Sequence, residues 1–282
     1  MTIARLMQMA RAGVPSGGGD VWTDPDLANA SYDSVSFSVA GQETNPFSVV
    51  FNTDGTKMYI VGNASDQIHQ YSLSTAFDLS TASYDSVSFS VASQETNPFG
   101  LMFNDDGTKM YIVGTGNDTV YQYSLSTAFD LSTASYDSVS FSVASQEAAP
   151  FSLAFNNDGT KMYVVGVVSD TVYQYSLSTA FDLSTASYDS VSFSVASQSL
   201  EPMDVLFNPD GTKMYIVDAV SDTVYQYSLS TAFALSTASY DSVSFSVASQ
   251  DSFARGVAFK SDGSKMYVVG SATDTIYQYS TA

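Results

Sequence analysis

Glu201 and Asp204 are the one carboxylate pair that falls together on a segment reading as an inner strand. Two carboxyl groups are the smallest set that can supply both acid and base to a glycosidic bond. At the positions equivalent to Asp204 the chain carries Ser48, Gly100, Ser152 and Gly256, so no second repeat brings an acid to the same place. The other chemistry-bearing types are sparse. There is no Cys, one His (His69) and one Trp (Trp22). That excludes Cys nucleophiles and disulfides, and neither a His-based triad nor a zinc site needing two or more His is expected. His69 stands where other repeats have Tyr121, Tyr173, Tyr225 and Tyr277, so it reads as a packed ring. Asp54, Asp106, Asp158, Asp210 and Asp262 lie in Asp-Gly turns, where a carboxylate accepts backbone N–H bonds. These turns lack the late bidentate Glu of a calcium loop, so no metal is expected. Asp66, Asp118, Asp170, Asp222 and Asp274 read as loop-capping groups. Gly62, Gly114, Gly166 and Gly270, with Asp218 at the same offset, suggest a left-handed backbone position. The expectation is a protein that is not an enzyme, with no catalytic residue and no cofactor.

Nine Lys and Arg stand against 29 Asp and Glu, a formal charge of −20. Sequence-independent nucleic-acid binding needs Lys and Arg against phosphate, so that partner class is excluded. No run of 18 apolar residues is present, and membrane insertion is not expected. Hydrophobic residues make up 44%, enough for a sizeable core.

What positions these side chains is a repeat. SYDSVSFSVA begins at Ser31, Ser83, Ser135, Ser187 and Ser239, each 52 residues after the last. The turn glycines Gly55, Gly107, Gly159, Gly211 and Gly263 keep the same spacing. Each unit reads as four strands: an apolar run (residues 98–103), an Asp-Gly turn, a second apolar run (109–113), a third strand (119–125), and an alternating fourth (136–143). Four antiparallel strands repeated five times predict an all-β, five-bladed β-propeller. The chain opens on a fourth strand (32–39) and closes on a third (275–280), so the N-terminal strand completes the last blade and hides the edge. The expected division is a tag over residues 1–23 and a propeller over 24–282. Within the tag, Ile3, Leu6, Met7 and Ala10 follow helical spacing and predict a short amphipathic N-terminal helix, with a Gly-rich linker behind it. No secretory signal is recognised.

The run from Pro98 to Tyr123, with its four counterparts, resembles the YVTN-type propeller repeat of surface proteins and lactonase-like folds. The long Ser/Thr-rich connection between strands three and four is similar to that of phage tail- or fibre-associated propellers. The first resemblance implies the blade; the second implies a virion or extracellular-surface setting.

Differences between the copies are uneven. Copies 83–134 and 135–186 differ only between Thr96 and Ser169's counterpart Asn117. Loops joining strand four to one and two to three share one rim of an up-and-down ring, so variation concentrates on that rim. Loops usually carry recognition on a fixed scaffold. The candidate ligand-binding residues are therefore Thr44, Asn45, Asn63, Asn97, Thr115, Asn117, Glu201 and Phe253 from the loops. Phe47, Phe99, Phe151, Met203 and Arg255 share one slot where rim meets channel. Ser48, Ser152 and Asp204 line the channel. The aromatic slot reads equally as a plug or as sugar-stacking platforms. The expected function is non-catalytic recognition of a carbohydrate or cell-surface ligand. Its alternatives are a structural assembly or decoration role, with the N-terminal helix docking on a larger protein assembly, and a glycosidase or lactonase-like enzyme.

Overall fold

The structure, a computed structural model, describes residues 22–282. In the first blade four strands, Pro46–Phe51, Lys57–Gly62, Gln67–Leu73 and Ala82–Ser90, pair antiparallel in sequence order. The pattern recurs in three further blades. The two inner strands are buried nearly throughout, because neighbouring blades cover both their faces. The outermost strand alternates in burial. Innermost strands neighbour one another in a closed cycle of five, and each of five hydrophobic clusters draws on two adjacent blades. The five-bladed propeller expected from the repeat is what the chain forms.

Blade five consists of Ala254–Phe259, Lys265–Gly270 and Thr275–Ser280, completed by Ser31–Ser38. Asp33 fixes the closure by accepting from Lys265 Nζ at 2.6 Å, Gln278 Nε2 at 2.9 Å and Ser280 Oγ at 2.6 Å. Asp85, Asp137, Asp189 and Asp241 pair with a lysine in the same way in the other blades. These aspartates reach inward because of a bulge. The register shifts after Tyr32, and Ser34 takes φ 58°. Burial raises the carboxyl pKa of Asp33, but its hydrogen bonds and the Lys265 charge outweigh that and hold it low.

A second closure was not legible in the repeat. Phe77, Phe129, Phe181 and Phe233 lie at φ 58–61° between strands three and four, each ring against the turn glycine of its blade. Blade five lacks that Phe. Gly263 instead meets Thr23, and Trp22 packs edge-on against Phe259 at 6.1 Å. Trp22 thus occupies the place that Phe129 takes against Phe103.

One part of the fold class is corrected. Among the described residues there is no α-helix; the helical elements are three-residue 3-10 turns such as Leu79–Thr81, cut short where the chain turns into the next strand. The expected N-terminal helix of Ile3, Leu6, Met7 and Ala10 falls on residues outside those described. For the described residues the supported class is an all-β five-bladed propeller.

Candidate functional site

The variable rim is built around a buried carboxylate in each blade. Glu43 accepts from the backbone N–H groups of Asn45 (2.9 Å), Ala64 (3.2 Å) and Ser65 (3.2 Å), and from Ser65 Oγ (2.6 Å). It ties the loop entering the blade to the loop between strands two and three. Glu95, Glu147 and Asp251 do the same in blades two, three and five. In blade four the accepting carboxylate changes sides. Ser199 replaces the carboxylate, and Asp218 supplies it from the opposite loop, accepting from Ser199 Oγ, the Leu200 and Glu201 N–H groups, and Ser221. This corrects the left-handed interpretation of Gly62 and its counterparts. None of them, nor Asp218, has positive φ. A Cβ at Gly62 would fall 2.2 Å from Asn45 O and 2.6 Å from the Glu43 side chain, so glycine makes room for the carboxylate.

Inside this frame the mouth of the channel is shut. Phe99 and Phe151 stack at 4.3 Å and 4°, and Phe47 lies 4.2 Å from Phe99. Met203 and Ala219 complete the cluster. The rings cover each other's faces, so the plug is what forms. Beneath it, Ser48, Ser152 and Asp204 are buried, with Asp204 1% exposed. Asp204 accepts from Ser152 Oγ at 2.5 Å and from Val257 N at 2.8 Å, bridging blades three, four and five. It and Glu201, three residues apart in sequence, do not form an accessible pair, because Asp204 is buried.

The loop residues separate into supports and tips. Asn45 donates to Asn63 Oδ1 at 2.6 Å, Asn97 O accepts from Thr115 N, and Asn117 donates to Gln94 O. Thr44, Asn117, Glu201 and Phe253 are exposed. His69 is 5% exposed, with Nε2 3.1 Å from Ser65 Oγ and Nδ1 unpartnered. Burial lowers its pKa, against the raising effect of Glu43.

One group brings different chemistry together. The Arg255 guanidinium lies 4.7 Å over Phe47 and 5.3 Å from Phe253, with Nε donating to Ser271 Oγ at 2.9 Å and Nη1 3.4 Å from Met203 Sδ. Every described Lys forms an ion pair; Arg255 is the one described cation that does not. Burial lowers its pKa, while Glu201, Asp251 and Asp222 raise it; a guanidinium stays charged under these conditions. Asp251 is taken up by its loop, and Asp222 accepts from Ala254 N. No described group hydrogen-bonds the Glu201 carboxylate. Sequence reasoning named Glu201 and Arg255 separately, gave Asp222 only as a loop cap and left Ser271 and Asp251 out of the candidate set, because the five come from four loops and one strand of two blades. The signal available was the Arg in an otherwise apolar slot. Among the described residues, no three His, Asp or Glu side chains converge as a metal-binding set.

A family profile described as a lactonase, 7-bladed β-propeller, matches residues 93–281. No curated protein matches the sequence. Solved structures share the fold. A functionally unknown protein from Desulfotomaculum acetoxidans is 11% identical with a TM-score of 0.50, over 80% of this chain and 62% of that one. A Bacteroides uniformis protein provisionally named a 6-phosphogluconolactonase is 14% identical with a TM-score of 0.51, over 82% and 65%. The propeller domain of Cps50 (Swd1) from Myceliophteria thermophila is 9% identical with a TM-score of 0.50, over 84% of each chain. This chain spans less than two thirds of the length of the first two. The lactonase match overturns the expectation of a non-enzymatic module recognising a carbohydrate or cell-surface ligand. The physical reason is that the expectation sought His, Cys or paired channel carboxylates. Opening a cyclic ester requires only a base for water and a positive group for the carbonyl oxygen.

Proposed function

The chain belongs to the lactonase family of β-propellers, and from that premise we propose that it hydrolyses a cyclic ester at the variable mouth. The observation that carries this proposal is Arg255 held on the Phe47 and Phe253 rings without an ion-pair partner among the described residues, with the charge of the exposed Glu201 carboxylate acting on it. Glu201 takes a proton from water as the water oxygen attacks the carbonyl carbon. The carbonyl oxygen becomes an oxyanion paired with Arg255. The tetrahedral species collapses with cleavage of the ring C–O bond, and protonated Glu201 returns its proton to the departing alkoxide. The product is a hydroxy acid, and base and cation end as they began. Phe47, Phe253 and Ser271 fix the guanidinium plane, which is the preorganisation that gives such a group its effect. The YVTN-type repeat supports the scaffold and leaves the chemistry to these mouth residues.

Hydrolysis of glucono-δ-lactone and simple γ- and δ-lactones, followed by proton release at constant pH, tests this. Glu201→Gln is expected to lower kcat by roughly 10²–10⁴, and Arg255→Met by roughly 10²–10³. Wild-type protein that opens no lactone, or a Glu201→Gln variant of undiminished rate, contradicts the proposal.

A further inference from the structure

Four large hydrophobic side chains stand out as exposed among the described residues: Val168 at 66%, Leu200 at 62%, Val220 at 57% and Phe253 at 49%. All four lie on the variable rim, in the loops of blades three, four and five. Blades one and two carry Ala64 and Gly116 where blade three has Val168, and Thr44 and Thr96 where blade four has Leu200. The rim is thus divided into a polar sector around Asn45, Asn63, Thr96 and Asn117 and an apolar crescent. The crescent continues inward. Val167 packs on the cluster of Met203 and Ala219, Met203 touches Arg255, and Arg255 lies against Phe253. Exposed apolar patches of this kind mark binding surfaces.

Charge decides what the crescent takes. Arg255 is a single positive group with Glu201, Asp251 and Asp222 acting on it, so its surroundings are net negative. A phosphoryl group carries close to two negative charges at neutral pH and is repelled there. An uncharged ester is not, and its carbonyl oxygen still finds the guanidinium. We propose that the substrate is an uncharged lactone carrying an apolar chain, with the ring at Arg255 and Glu201 and the chain along Phe253, Val220, Leu200 and Val168. The occupant is a small amphipathic lactone and not a phosphorylated sugar lactone. This rests on the hydrolase proposal for the chemistry but not for the binding.

The test is a series of δ-lactones of increasing alkyl length, together with 6-phosphoglucono-δ-lactone, measured for hydrolysis and, with Glu201→Gln, for binding by calorimetry. Each methylene buried on the crescent is expected to raise kcat/KM and affinity about three- to fourfold, up to the length that spans the patch. The phosphorylated lactone is expected to be at least tenfold poorer than its unphosphorylated counterpart. The triple variant Val168→Ala, Leu200→Thr, Val220→Ala, all at exposed positions, flattens the length dependence. Hydrolysis that ignores chain length, or that favours the phosphorylated lactone, overturns the inference and leaves the hydrolase proposal standing. Length-dependent binding without turnover supports the inference and contradicts the hydrolase proposal. Absence of both overturns both.

Discussion

The two rims of the ring end their strands by different means. On the constant rim the Asp-Gly turn has one solution in all five blades, and in blades one to four the same Phe covers it. Asp106 Oδ1 accepts from Thr108 N at 2.9 Å, Gly107 adopts φ 70°, and the Phe129 ring fills the space a side chain would need. On the variable rim only the carboxylate is retained, and blade four supplies it from the other loop. The first rim is dictated by backbone conformation, which tolerates few residue types. The second is dictated by the demand that loop N–H groups find an acceptor, which leaves the tips free to carry Thr, Asn, Val, Leu or Phe. Chemistry can change on the second rim without changing the fold.

The sharpest break in this comparison comes from Gly107→Ala. It places a Cβ 2.2 Å from the Phe129 ring at positive φ, and a loss of about 3 kcal/mol or more is expected in urea unfolding. Thr96→Ala on the variable rim, the residue that blade three has at Ala148, is expected to change stability by less than about 0.5 kcal/mol. A similar loss in both contradicts the contrast.

Blade four gives a double-mutant cycle. Asp218→Gly strands five donor groups and is expected to cost about 3 kcal/mol. Ser199→Glu alone crowds a second carboxylate against Asp218. Together they rebuild the arrangement of the other blades and should return to within about 1 kcal/mol of wild type. Additive losses would show that the two positions do not exchange one function.

Each rim also has a pH signature. On the constant rim, burial and neighbouring Asp106 push the Asp105 carboxyl up to about 7. Because the folded value lies above the unfolded one, its favourable contribution is present in acid and is lost as pH rises through about 7. Asp105→Asn, the residue of the next blade (Asn157), should therefore stabilise by about 1–2 kcal/mol at pH 8 and not at pH 3. On the variable rim, Asp222 Oδ1 accepts from Ala254 N at 3.1 Å. The equivalent partners of Asp66, Asp118, Asp170 and Asp274 are Pro98, Pro150, Pro202 and Pro46, which have no N–H, and in these four aspartates Oδ1 is buried and unpartnered. Burial and the Glu43 charge raise the pKa of Asp66, so its penalty grows as pH rises through that value. Pro98→Ala supplies the donor and should stabilise by about 0.5–1 kcal/mol at pH 7, the gain vanishing near pH 3. Equal gains at both pH values would mean that no bond to Asp66 forms.

Blade number, strand order and closure by residues 31–38 were legible because a 52-residue period repeats every constraint five times. Three features were hidden. Trp22 replaces a Phe from the far end of the chain, outside the period. The bulge at Asp33 and Ser34 lies inside an apparently regular alternation. Ser199 and Asp218 look like unrelated exceptions until the fold brings them within hydrogen-bond distance. At the site, the plug was one of two open readings, and its stacked rings decided between them. Glu201 and Arg255 were named individually, but their chemistry depends on adjacency between blades, which linear spacing does not express. The enzymatic class stood only as an alternative because its requirements were framed around His, Cys and channel carboxylates.

The most direct test is the rate of lactone opening by wild type, Glu201→Gln and, as the opposite-rim control, Asp54→Ala. Hydrolysis by wild type and Asp54→Ala, with at least a hundredfold loss in Glu201→Gln, is the predicted result. Equal rates in Glu201→Gln and wild type, or a loss confined to Asp54→Ala, would contradict a catalytic mouth on the variable rim.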